Sequence, residues 1–183
     1  MDDRSISVDF AFVKPNTIDN KSKPKPFLQT LKQVYDKKND ANAADAASKF
    51  LWENFNKEQY SMWFCKCKYN EELTKIFITS GMISGWFARM ENCRKIAFGV
   101  ALILGNENGD SHELHAFWIF RSDSKKKIDE LPENVQDVDD VANFEWRRIT
   151  DFDDEKEKAL VNDFLRWDGE NLPKPCLEGR SFK

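Results

Sequence analysis

The chain has 183 residues, enough for one domain with its own core and too few for two ordinary ones. Its 28 basic and 32 acidic residues give a formal net charge of −4, which excludes attraction to polyanions as a property of the whole chain and leaves that role to local basic patches. Four cysteines in a chain this long exclude a disulfide scaffold, and the longest apolar run, Ile96 to Leu104, is too short to cross a bilayer as a helix.

Residues 1–26 read as a flexible arm or linker. Lys21-Ser22-Lys23-Pro24-Lys25-Pro26 alternates charge with proline, which removes backbone donors and favours extended chain. The opening Met1-Asp2-Asp3-Arg4 shows no apolar signal region, so a soluble cytoplasmic protein with reduced thiols and no membrane association is expected. Order is expected from Phe27. Phe27, Leu28, Leu31, Val34 and Tyr35 form one helical stripe, broken at Lys37–Asp40. A second, alanine-rich helix follows over 41–55, with Ala47, Phe50, Leu51 and Phe55 inward.

Tyr60 to Tyr69 reads as a strand that is apolar on both faces and hence covered on both sides. Asn70 is placed to cap a short helix with Glu71 and Glu72 in its first turn and Leu73, Ile76 and Phe77 inward, ending at Gly81. A further helix is expected over 82–93, burying Met82, Ile83, Trp86, Phe87 and Met90. Lys95 to Leu104 is the best central strand, and a turn over 105–109 leads to a returning strand over 113–121. The segment 122–140 is charged and irregular, with Lys125–Lys127 on a solvated loop. A shorter strand spans 143–150, with Phe144 and Trp146 on one face. Asp154 and Glu157 have the spacing of a capping box for a helix lined by Leu160, Val161, Phe164 and Leu165 and ending near Trp167-Asp168-Gly169. The tail to Lys183 reads as extended. A short turn between two strands demands antiparallel pairing, so the class is α+β: an antiparallel sheet of about five strands packed with helices in a single domain over 27–183.

Few residues suggest chemistry. His112 and His115, three apart on a strand, point to opposite faces and suit chelation poorly; they read as hairpin surface histidines. Cys65 and Cys67 share a face, but Cys93 and Cys176 do not complete a thiolate site with ordinary spacing. Asp151, Asp153, Asp154 and Glu155 lack the glycine and distal glutamate of a calcium loop and read as helix capping. No phosphate loop, nucleophile elbow or paired-acid signature is visible, so neither a cofactor nor catalysis is expected. A hidden small-molecule site would need a deep pocket with perturbed titratable groups. Trp52, Trp63 and Trp118 lie on apolar stripes and read as packing. Trp86, Trp146 and Trp167 stand near Arg89, Arg147, Arg148 and Arg166, a grouping that fits a binding surface and equally an arginine stacked on a half-buried ring.

The segment from Trp52-Glu53-Asn54-Phe55 to Ser61-Met62-Trp63 resembles the opening of the C-terminal domain of the translation elongation factor 1 gamma subunit. The likeness continues through Glu71-Glu72-Leu73-Thr74, Ile83-Ser84-Gly85-Trp86-Phe87 with Arg89, and Arg94-Lys95-Ile96-Ala97-Phe98 to Gly105. Trp118-Ile119-Phe120-Arg121, Trp146-Arg147-Arg148 and Phe164-Leu165-Arg166-Trp167-Asp168-Gly169 follow in the family's order. Two local departures are Ser122, where the family tends to have glycine, and the tail from Pro173 to Arg180, which lacks the family's Gly-Lys-x-Phe-Asn-Gln-Gly-Lys pattern. The N-terminal glutathione-transferase-like domain usual in the family is not among these residues.

The resemblance implies a eukaryotic, cytoplasmic, non-catalytic interaction domain of the complex that exchanges nucleotide on elongation factor 1-alpha. Its partners would be the exchange subunits and the alpha factor, with tRNA synthetase or RNA association as further candidates. Arg89, Arg94, Lys95, Arg121, Trp146, Arg148 and Trp167 are the expected partner-binding residues. The competing expectation is an RNA- or ribosome-associated module using Lys21–Lys25, Lys125–Lys127 and Arg147–Arg148 among aromatics.

Overall fold

The computed structural model describes residues 26–36, 41–108, 111–122 and 129–183. The arm before Pro26, the break at 37–40 and the Lys125–Lys127 loop lie outside the described residues.

Five antiparallel strands form one sheet: β1 (Tyr60–Cys67), β2 (Ala97–Gly105), β3 (His112–Arg121), β4 (Phe144–Arg148) and β5 (Cys176–Phe182). Their spatial order is β4-β1-β3-β2-β5. β2 is buried at every position because it lies between two strands and under helices on both faces, which is why its sequence is a continuous apolar run. The extended tail is edge strand β5, paired with β2 from Gly99↔Phe182 to Leu104↔Cys176 and bulged between Ile103 and Leu104.

On one face, α1 (Phe27–Asp36), α2 (Ala41–Asn54) and α5 (Glu155–Arg166) cover Met62, Phe64, Phe98, Val100, Phe117 and Ile119. Tyr35 donates its hydroxyl to the Leu165 carbonyl at 2.7 Å, tying α1 to α5. On the other face, α3 (Ile76–Arg89) and a 3₁₀ segment, Glu91–Ile96, cover Trp63, Cys65, Ala101, Ile103, Trp118 and Phe120. The short α4 (Glu133–Gln136) and a 3₁₀ turn, Asp139–Asn143, complete that side. Gly99 sits directly across from Trp118, and a Cβ there would lie 2.4 Å from the indole, so the missing side chain makes room for the ring.

Several expectations are corrected. Gly81 does not end a helix: one helix runs from Ile76 to Arg89, because packing of its inner face outweighs the roughly 1 kcal/mol helical cost of a glycine. Phe77 and Met82, expected inward, point to solvent, while Thr79, Ser80, Ile83 and Trp86 face the sheet. Asn70 does not cap; its side-chain oxygen accepts the Leu114 amide at 2.9 Å. Asp154 does cap α5 through the Lys156 amide at 2.9 Å, but Glu157 reaches Arg147 at 2.8 Å instead of closing a box. His112 is not a surface residue: it is 2% exposed and lies 2.8 Å from the Thr79 hydroxyl.

Candidate partner-binding surfaces

Helix α3 carries large apolar side chains on its inner and outer faces alike, among a few small polar ones. Such a helix is ordinarily buried on all sides. Its inner face is fixed to the sheet. Trp86 stacks on Phe144 at 4.4 Å and meets Trp118 edge-on at 5.2 Å. Arg180 of β5 donates to the Ser80 hydroxyl at 3.0 Å and to the Ser84 hydroxyl. The outer face is open: Phe77 is 72% exposed, Ile78 51% and Met82 40%. Gly81 and Ala88 are exposed between and beyond them, and a Cβ on Gly81 would meet nothing within 4 Å. The result is an exposed apolar ridge on a rigid element.

Arg89 closes that ridge at its C-terminal end. Its guanidinium folds back over Gly85, whose missing side chain leaves the space, and grips Asp140 through two bonds of 2.6 and 2.8 Å. That clamp raises the arginine's pKa through the carboxylate's hydrogen bond and charge.

Arg94, Lys95 and Arg121 converge elsewhere. The hairpin register places the start of β2 beside the end of β3, with Ala97 opposite Phe120, and so brings the 3₁₀ segment next to Arg121. Together with Pro26, Leu28, Gln29, Lys32, Tyr60 and Lys183 they line a pocket of about 480 Å³ that has no acidic side chain in its wall. Arg94 is engaged: it bonds Glu91 at 2.5 and 3.1 Å, donates to the Lys183 carbonyl and lies 5.1 Å over Phe182. Lys95 and Arg121 have no acidic partner among the described residues.

The remaining expected residues lie apart from both surfaces. Trp146 is half-buried on β4, meets Trp63 edge-on at 6.4 Å and donates to the Val141 carbonyl at 3.0 Å. Arg148, on the same edge strand, buries its Nε without a partner among the described residues. Trp167 ends α5 in the left-handed conformation, φ 60°, with its indole against β5. A Cβ on Gly179 would lie 2.5 Å from that ring, so the glycine admits it. Sequence reasoning missed the α3 ridge and Lys32. The ridge's signal was a helix with large apolar side chains on both of its faces.

Other chemistry is sparse among the described residues. No group of three potential metal ligands comes together. Cys65 and His115 project to opposite faces of the sheet, and burial pushes the Cys65 thiol well above its ordinary range. Burial likewise lowers the His115 pKa against the opposing pull of Glu113, which it contacts at 2.8 Å. No helix of the described residues is long and apolar enough to cross a membrane.

The sequence matches the conserved domain of elongation factor 1 gamma over residues 13–124. It is 37% identical over 171 residues to elongation factor 1-gamma of Trypanosoma cruzi, covering 93% of this chain and 38% of that protein. It is 34% identical to elongation factor 1-gamma 2 of Oryza sativa, covering 92% of this chain and 38% of the relative. It is also 34% identical to elongation factor 1-gamma-A of Xenopus laevis, covering 73% and 30% respectively. The chain thus spans less than two fifths of the length of these relatives.

Proposed function

The chain belongs to the elongation factor 1-gamma family, and from that premise we propose that it serves translation elongation as a non-catalytic docking domain, contacting the exchange subunits or the alpha factor of elongation factor 1. The observation that carries this reading is the ridge Phe77–Ile78–Met82. An aromatic and two aliphatic side chains exposed on one helix resemble the anchors that carry most of the energy of protein interfaces. The helix beneath is immobilised by Trp86, His112 and Arg180, so little ordering cost falls on binding. Arg89, half-exposed beside the ridge, supplies a charged rim residue whose geometry Asp140 fixes.

Lys95 and Arg121, with Arg94 shaping the wall, are proposed as a second contact region. Trp146, Arg148 and Trp167 would act at the sheet edge and under β5 by holding local structure next to any partner.

The reading is tested by affinity capture from the source cell's cytosol with the full chain as bait, after ribonuclease treatment. Elongation factor 1 subunits identified by mass spectrometry, and lost when Phe77 and Ile78 are both changed to serine, are the expected outcome. Retention of the same subunits by the variant would remove the ridge from the account. Recovery of tRNA synthetases in their place would move the partner.

A further inference from the structure

We propose that the basic pocket between α1 and the ends of β3 and β5 is a binding site for a nucleoside phosphate, with Lys95 and Arg121 on the phosphate and the exposed Pro26 ring against the base. This goes beyond the docking reading and uses none of the residues of the α3 ridge.

The pocket's volume, about 480 Å³, falls within the few hundred to 1,000 Å³ of ordinary small-ligand sites, and a mononucleotide fits that space. Its wall is mixed in the way such a ligand requires: an exposed apolar ring from Pro26, the Gln29 amide for a polar base edge, and cations from three separate elements. The charges of Lys95 and Arg121 are not paired among the described residues. Glu91 balances Arg94 from outside the pocket, while Lys95 and Arg121 face no carboxylate among the described residues.

Lys32 adds a second, independent sign. Its ammonium is half-buried, donates to the Arg94 carbonyl at 2.5 Å and is pushed down to about 8 by burial and then by the Arg94 charge. Crowding a partly desolvated lysine against an arginine costs stability, and a bound phosphate would relieve that cost. Tyr60 is 5% exposed, with its ring 4.8 Å from that of Phe27. Its face is therefore closed to a base, and recognition would be by phosphate and apolar contact, tolerant of base identity. The phosphate comes from one of two sources, a free nucleotide or a nucleotide of single-stranded RNA.

The test is fluorescence anisotropy of a labelled oligouridylate with the full chain from about 20 to 200 mM NaCl, with unlabelled UMP and ATP as competitors. Saturable binding is expected at low salt, with a log–log salt slope of about −1.4 to −2 for two to three phosphate contacts on a single strand. Lys95→Glu with Arg121→Glu should weaken it by about thirtyfold, roughly 1 kcal/mol for each lost contact, while Lys95→Arg with Arg121→Lys stays near wild type. Displacement by UMP or ATP alone assigns the site to free nucleotides, and displacement only by oligonucleotide assigns it to RNA. No binding at low salt, unchanged binding by the charge-reversed pair, or equal displacement by an oligoglutamate peptide would overturn the proposal. Thermal melting checks that the variants fold, and Lys95→Gln alone serves if the double reversal does not. The Phe77→Ser/Ile78→Ser variant should bind the oligonucleotide normally, so failure of this site and failure of the docking reading are separable.

Discussion

Truncating residues on opposite sides of α3 separates a docking ridge from a packed core. Full burial of a phenylalanine side chain stabilises by about 1.5–3 kcal/mol. Phe77 keeps 72% of its surface exposed, so Phe77→Ser should forfeit only about a quarter of that, roughly 0.4–0.8 kcal/mol. The helix propensities of serine and phenylalanine are close, so little is added by the backbone. Ile83, six residues further on, is 0% exposed beneath the same helix, and Ile83→Ala should cost about 2–5 kcal/mol for the lost contacts and the cavity left behind. For a domain of this size each kcal/mol moves Tm by about 2–4 °C, giving shifts of roughly 1–3 °C for Phe77→Ser and about 4–20 °C for Ile83→Ala. Differential scanning fluorimetry on the two variants at one pH and protein concentration decides it. Equal losses would show that Phe77 is covered within the folded chain, and the ridge would then be core.

Other perturbations reach other parts of the account. Gly99→Ala places a methyl 2.4 Å from the Trp118 ring in the middle of the sheet and should destabilise by about 1–3 kcal/mol, read as a lower denaturant midpoint, with Trp118→Leu restoring part of it. Lys32 is lowered to about 8 in the fold, so between pH 8 and its unfolded value near 10.5 the unfolded chain holds a proton the folded chain lacks, and stability rises with pH across that window. Lys32→Met should flatten this rise in a pH series of urea midpoints; persistence of the slope would take Lys32 out of the explanation. Burial holds the Cys65 thiol well up, and Cys176 is held at about 11, so native-state labelling by a thiol reagent at neutral pH should be slow and should accelerate sharply on unfolding.

Much of the sheet was legible because its strands carry their signals locally. β2 reads as a central strand from its unbroken apolar run, and the short link to β3 dictates antiparallel pairing. The meeting of Arg94, Lys95 and Arg121 follows from that hairpin register. Lys32 did not follow, since only tertiary packing brings α1 to the same place. Helix α3 was misread because a sequence apolar on both faces carries no information on which face is buried, and Gly81 then looked like a terminator. Asn70 illustrates the same limit at the scale of one bond. Its local context suited a cap, but its oxygen found the amide of Leu114, 44 positions away.

The central claim is that the outer face of α3 docks an elongation factor 1 subunit. The most direct measurement is isothermal titration of the purified exchange subunits and alpha factor, one at a time, into the full chain and into its Phe77→Ser/Ile78→Ser variant. One of them should bind the wild-type chain, and the variant, melting within a few degrees of wild type, should bind it at least about tenfold more weakly, a loss of about 1.4 kcal/mol. Equal affinity for both chains, or no binding of any subunit to the wild type, would contradict it.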